Sequence, residues 1–144
     1  MARYSLGITT PAAAAGAAYA NLISAAGERL YVREIGLFLN AATASSIGLI
    51  RPATVGTATS PVAGQAVDAA DAAATGTVGT AWSAAGTIGS NYLRKITLPA
   101  AIGNGIIWTF GERDLVVPVS SCLFLWNFGA AAGSVLNGYI VWDE

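Results

Sequence analysis

Apolar and polar positions alternate along most of this chain. In ARYSLGITT, Tyr4, Leu6 and Ile8 alternate with smaller or polar residues, a period of two that predicts a β-strand. The next segment predicts a helix over residues 11–26. Thr10 suits the N-cap, Pro11 the first helical position and Gly27 the C-terminal cap. Tyr19, Leu22, Ile23 and Ala26 would form the stripe that lies on a sheet. Beyond Gly27 the apolar runs read as strands: residues 30–39, 46–51, 77–83, 92–98, 105–110, 115–119, 122–128 and 135–142. Their connectors are rich in Gly, Ser, Asn, Thr or Pro, the usual turn residues. Short strands without alternating helices favour a mainly β fold over any α/β arrangement. The expectation is one domain, residues 1–144, built as a two-sheet antiparallel β-sandwich or jelly roll with one short N-terminal helix.

Two stretches depart from this pattern. Residues 52–76, PATVGTATSPVAGQAVDAADAAATG, are small and polar with no long apolar anchor. Connections beyond about 12–15 residues are uncommon in compact domains, so an extended loop, or an arm that orders against a neighbouring subunit, is expected there. The other is LYVREIGLFLN, where Arg33 and Glu34 interrupt an apolar run. Strict alternation places Tyr31, Arg33, Ile35, Leu37 and Leu39 on one face and Leu30, Val32, Glu34, Gly36 and Phe38 on the other. Two charges pointing in opposite directions cannot neutralise each other, and an unpaired buried ion costs several kcal/mol. Either the strand lies near a sheet edge with both charges in water, or at least one charge meets a partner across a subunit boundary.

Composition sharpens the second alternative. The 144 residues are 54% hydrophobic, with mean hydropathy +0.57, and only 10% charged. Much of the apolar fraction is alanine, and no run approaches the roughly 18 apolar residues of a membrane span. Seven basic and eight acidic residues nearly cancel, so neither a phosphate backbone nor an anionic membrane is drawn in by charge. A small soluble domain usually carries about a quarter to a third charged residues on its surface. A surface this poor in charge is read as one spent on protein contacts, against the alternative of a weakly charged monomer. The N-terminal segment has an early Arg but a polar GITTP interruption, and no secretory signal is expected.

The candidate chemistry is thin. The chain has no histidine, which removes Ser-His-Asp and Cys-His catalysis and histidine metal sites. The single Cys122 lies among apolar neighbours and is expected to be an inert core residue. Asp68 with Asp71, and Glu112 with Asp114, are the closest carboxylate pairs. They lack an EF-hand pattern or further acidic ligands, and read as solvated loop charges rather than a calcium or glycosidase site. The glycines of GAAAGSVLNG and IGNG match no phosphate-binding spacing. No enzyme activity, metal or cofactor is therefore expected. Trp82, Tyr92, Trp108, Trp126, Tyr139 and Trp142 fall in predicted strands, where core or interface roles compete with a carbohydrate platform.

Three stretches, LYVREIGLFLNAATASSIGLIRPA, YLRKITLPAAIGNGIIWTF and LVVPVSSCLFLWNFGAAAGSVLNGYIVWDE, resemble small virion structural proteins of tailed bacteriophages. The likeness is to head decoration or cement proteins, and also to minor tail proteins. It spans nearly the whole chain as pattern and composition, without a motif whose residues carry over one by one. The resemblance implies a β-sandwich made in the host cytoplasm and seated on the outer capsid surface, commonly as a homotrimer. Its partners would be further copies of itself and the major capsid protein, with no direct nucleic acid or membrane contact. A tail or fibre component and a carbohydrate-binding module are the rival readings. Candidate interface residues are Arg33, Glu34, Arg94, Lys95, Glu112 and Asp114. Arg33 has Glu112, Asp114, Asp143 or Glu144 as possible partners, and Glu34 has Arg94, Lys95 or Arg113.

Overall fold

The computed structural model describes residues 1–144 and contains fourteen strands and no helix. In chain order these are β1 (Arg3–Thr10), β2 (Ala18–Ile23), β3 (Leu30–Leu39), β4 (Ser45–Thr54), β5 (Thr57–Ala58), β6 (Val62–Ala63) and β7 (Gln65–Ala66). They continue with β8 (Thr77–Gly79), β9 (Trp82–Ala84), β10 (Thr87–Leu98), β11 (Gly105–Thr109), β12 (Val116–Val117), β13 (Cys122–Asn127) and β14 (Leu136–Asp143). One sheet runs β11-β3-β14-β1-β7, with β12 also paired to β3, and the second runs β10-β4-β13-β2-β8-β6. Every pairing is antiparallel. We call these the first and second sheet.

The inner faces share one core of 21 buried residues, among them Val32, Ile35, Leu37, Ile140 and Trp142 from the first sheet and Leu22, Leu49, Leu123 and Leu125 from the second. Two antiparallel sheets enclosing a common core fit a β-sandwich. Full burial of each large apolar side chain contributes roughly 1.5–3 kcal/mol, and Trp142, at 0% exposure, is the largest.

The helix expected over residues 11–26 does not form. Residues 11–17 are a connection and Ala18–Ile23 is a strand flanked by β13 and β8. Helix preference among ordinary residues amounts to less than about 1 kcal/mol each, and here two tertiary features override it. Ladder hydrogen bonds on both sides of β2 claim its backbone. Ahead of it, the buried Asn127 side-chain amide donates to the carbonyls of Ala13, Ala14 and Ala131 at 3.0–3.1 Å. Gly16 then reverses the chain at φ +67°, a conformation that an L side chain rarely adopts.

Residues 52–76 are less isolated than their composition implies. Pro52–Thr54 extend β4, β7 pairs with β1, and β6 pairs with β8, so the segment joins one edge of each sheet. Gly64 and Gly76 pass directly over the Trp142 indole. The Glu144 carboxylate accepts hydrogen bonds from the backbone N–H groups of Thr75 and Gly76 at 2.6 and 2.9 Å, and the Tyr4 hydroxyl donates to the Ala72 carbonyl. The apolar anchor that the segment lacks is supplied by Trp142, more than sixty residues away in sequence.

Candidate interaction surfaces

The charges of LYVREIGLFLN resolve through a β-bulge. On β14, Val141 pairs with Glu34 and the next residue, Trp142, pairs with Val32, so Arg33 is an extra residue on β3. A bulge of this kind resets the alternation of the strand. Leu30 and Val32 face the core before it, and Ile35, Leu37 and Leu39 face the core after it. Arg33 and Glu34 consequently share the outer face of the first sheet, which corrects the opposite orientations expected from unbroken alternation.

Each has a partner within its own chain. The Arg33 guanidinium pairs with Asp143, and Arg3 pairs with the same carboxylate at 2.7 Å. Burial pushes the Asp143 carboxyl up. The hydrogen bonds and positive charges of Arg3 and Arg33 outweigh that burial, leaving its pKa below the ordinary carboxylate value. Glu34 accepts a hydrogen bond from the Tyr139 hydroxyl. That contact raises the tyrosine pKa, with burial and the glutamate charge adding to the shift. Tyr139 lies flat across the neighbouring strand because position 36 is glycine: a Cβ there would stand 2.4 Å from the ring. Among the candidates for Arg33, Asp143 is thus the one the structure brings to it. The expectation that one member of the pair looks to another chain meets a structure in which both are engaged at home.

The other four interface candidates lie elsewhere. Arg94 and Lys95 sit on β10, an edge strand of the second sheet. The Arg94 guanidinium lies 5.7 Å from the Phe110 ring centre, and the Lys95 ammonium lies 5.5 and 5.4 Å from the Tyr92 and Phe128 rings. Glu112 and Asp114 occupy the exposed turn after β11, where the Gly111 N–H donates to Asp114 at 2.8 Å. The six residues therefore do not converge on one site.

The outer face of the second sheet is covered by its own chain. Ile50, Cys122 and Phe124 form a second small cluster, closed over by Trp82 of β9, by Val55 ahead of β5 and by Ile88 at the start of β10. Phe124 meets Trp126 edge-on at 5.6 Å and Trp82 at 6.4 Å. Beside them opens a cleft of about 180 Å³ lined by Trp82, Phe124 and Trp126 with Ala17, Ala18 and Gly86. Beneath the cover, both side-chain atoms of Asn21 and the Trp82 indole N–H are buried without hydrogen-bond partners. Burial also pushes the Cys122 thiol up to about 11, so it stays protonated at neutral pH and is a poor nucleophile.

Sequence reasoning missed Arg3 and Asn21 as members of these surfaces, and it singled out Tyr139 only as a strand aromatic, without its bond to Glu34. Only Arg3 left a signal, as the single charge on an otherwise alternating strand. No group of three or more His, Cys, Asp or Glu residues lies together in a way that would hold a metal ion, and no helix is long and apolar enough to cross a membrane. No family model, no curated protein and no solved structure matches this chain.

Proposed function

We propose that this chain is a non-enzymatic structural protein of a tailed-bacteriophage particle, acting as a capsid decoration or cement protein. It would bind the assembled shell as a homo-oligomer and bridge neighbouring major capsid subunits. The observation that carries the reading is strand order. Numbering the eight principal strands β1, β2, β3, β4, β10, β11, β13 and β14 from one to eight, one sheet reads 1-8-3-6 and the other 2-7-4-5. That order supports assignment as a jelly roll, a fold that recurs in viral capsid domains. The low charge of the surface and its exposed Tyr92, Leu93, Ile102 and Ile107 add support, since buried contact between subunits tolerates few charges. Stabilisation would act by mass action: copies that bind only the assembled shell shift the equilibrium toward it.

Jelly rolls also serve as lectins, and fold alone does not decide between the two uses. The cleft between Trp82 and Trp126 favours carbohydrate binding as the second reading. Imaging of particles carrying the labelled protein separates these readings. Regular decoration of the shell is the expected result, whereas one copy cluster at a single vertex would select a tail component. Absence from particles together with tryptophan fluorescence changes on adding glycans would select sugar binding and sink the virion reading.

A further inference from the structure

The two lateral edges of the sandwich carry opposite charge. One edge is formed by β10 and β11, the last strands of their sheets on that side. It presents Arg94 and Lys95, both exposed, and neither makes an ion pair. The turn beyond β11 adds Glu112, Arg113 and Asp114, two acids against one base, which leaves this edge one positive charge in excess. The opposite edge is formed by β1, β6 and β7, with the 67–73 segment running along it. That segment presents Asp68 and Asp71, again exposed and without a cation. Arg3, whose carbonyl accepts from the Val67 N–H at the start of this segment, is already engaged by Asp143.

The same two edges hold most of the exposed large hydrophobic side chains. Tyr92, Leu93 and Ile107 are 54%, 37% and 49% exposed on the basic edge, and Val62 and Val67 are 54% and 62% exposed on the acidic edge. Both edges also offer unpaired backbone. β11 has no neighbour on the side away from β3, and β7 covers only Tyr4 and Ser5 of β1. The rest of β1 borders a cleft lined by Leu6, Ile8, Val62 and Val78. Direction is compatible as well. Successive antiparallel pairings from β1 through β14 and β3 to β11 leave β1 and β11 running in opposite senses, so copies set side by side with strands aligned would meet as antiparallel neighbours.

We propose that the Arg94/Lys95 edge of one copy docks against the Asp68/Asp71 edge of the next, head to tail. The inference deepens the homo-oligomer part of the function proposed above and rests on that part alone. A contact between two different patches either closes into a ring or continues as a filament, and opposite charge sets its register and excludes like-edge pairing. Uncovered edge strands are otherwise an invitation to uncontrolled pairing, which a matched neighbour removes.

Light scattering at a series of concentrations and salt strengths tests this with four variants. Arg94→Glu/Lys95→Glu makes both edges acidic, and Asp68→Lys/Asp71→Lys makes both basic. Each is expected to weaken self-association by about 100-fold, and wild-type association should weaken with added salt. The fourfold variant carrying both reversals should recover wild-type association. Mixing the two double variants should give 1:1 complexes in which the species alternate. Asp68→Asn/Asp71→Asn, which keeps the Asx contact to the Ala70 N–H, serves should a reversal fail to fold, and should weaken association by about tenfold. A wild-type oligomer indifferent to every edge variant would overturn this interface while leaving the homo-oligomer reading intact. A wild-type protein that stays monomeric at all concentrations would overturn both, and particle imaging would then judge the virion reading by itself.

Discussion

The two outer faces of the sandwich handle the same problem in opposite ways. The first sheet leaves its outer face open and places polar groups there, each with a partner: Arg3 and Arg33 on Asp143, and Tyr139 on Glu34. The second sheet makes its outer face apolar and aromatic and covers it with Val55, Trp82 and Ile88, at the expense of stranding the Asn21 amide and the Trp82 indole N–H. The first face draws on few hydrophobic contacts and a closed polar network, the second on a second core with an imperfect polar inventory. Their responses to substitution should therefore differ in sign as well as in size.

The largest effect is expected on the covered face. Phe124 is fully buried at the centre of the small cluster, with Trp82 and Trp126 against its ring. Phe124→Ala should destabilise the domain by about 3–5 kcal/mol, read as a lower urea midpoint with tryptophan fluorescence as the probe. The half-buried Val141, on the open face, should lose under about 1 kcal/mol as alanine. Equal losses at the two positions would show that the cover over the second sheet is loose and that its cluster is not a core.

Next comes the ion triad. Asp143→Asn removes the shared partner of two arginines and should cost about 2–4 kcal/mol, since breaking a buried pair strands the remaining charge. The pH dependence has a defined direction. The Asp143 pKa in the folded protein lies below its ordinary value of 3.8. Its contribution is therefore complete above that value and is lost as pH falls below it toward the lowered folded pKa. Melting temperatures measured from neutral pH down to about pH 3 should fall more steeply for the wild type than for Asp143→Asn. Parallel curves would show that the triad carries no net stability.

The contrast between the faces also marks where the sequence was readable. The apolar run over residues 30–39 predicts a strand with the same ends that β3 shows, because the charged Glu28 and Arg29 precede it and the turn former Asn40 follows it. The side of the sheet taken by Arg33 was not readable. A bulge is a property of the β3–β14 pairing, and a single strand's alternation carries no record of its neighbour's register. Residues 18–26 misled for a related reason. Tyr19, Leu22 and Ile23 satisfy a helical stripe as well as they satisfy a strand, and the deciding Asn127 lies over a hundred residues away. The pattern over 77–83 predicts one strand, yet the run divides into β8, which joins the second sheet, and β9, which pairs with β5 in a separate two-stranded ribbon, and Trp82 covers the second sheet.

Asn21 gives the change of sign. It is 1% exposed and faces the covered cluster, and neither its amide nitrogen nor its oxygen has a partner at hydrogen-bond geometry; the Cys122 thiol, a weak donor, is its one polar neighbour and offsets little of the cost. Replacing an unsatisfied buried polar group with an apolar one of similar size removes a desolvation cost of about 1–3 kcal/mol. Valine also suits a central strand. Asn21→Val should raise stability by about 1 kcal/mol, seen as a higher urea midpoint with an unchanged slope. A loss of that size instead would mean that a bound water satisfies the amide and that the two faces are equally well closed.

The smallest effect returns to the open face, at Tyr139. Tyr139→Phe keeps the ring over Gly36 and deletes only the hydroxyl that donates to Glu34. Glu34 is partly exposed and can take a water in its place, so the cost should be about 1 kcal/mol, at the low end for a bond to a charged acceptor. The pH behaviour identifies the contact more surely than that cost does. The hydrogen bond to Glu34, then burial, then the glutamate charge, hold the Tyr139 pKa above its ordinary 10.0 in the folded protein. The stability it confers is therefore complete below that value and is lost as pH rises through the folded pKa. Wild-type melting temperatures should fall more than those of Tyr139→Phe as pH is taken from about 9 to about 11. If the two proteins lose stability in step over that range, the hydroxyl makes no stabilising bond, and the polar network on the open face reduces to the Asp143 triad.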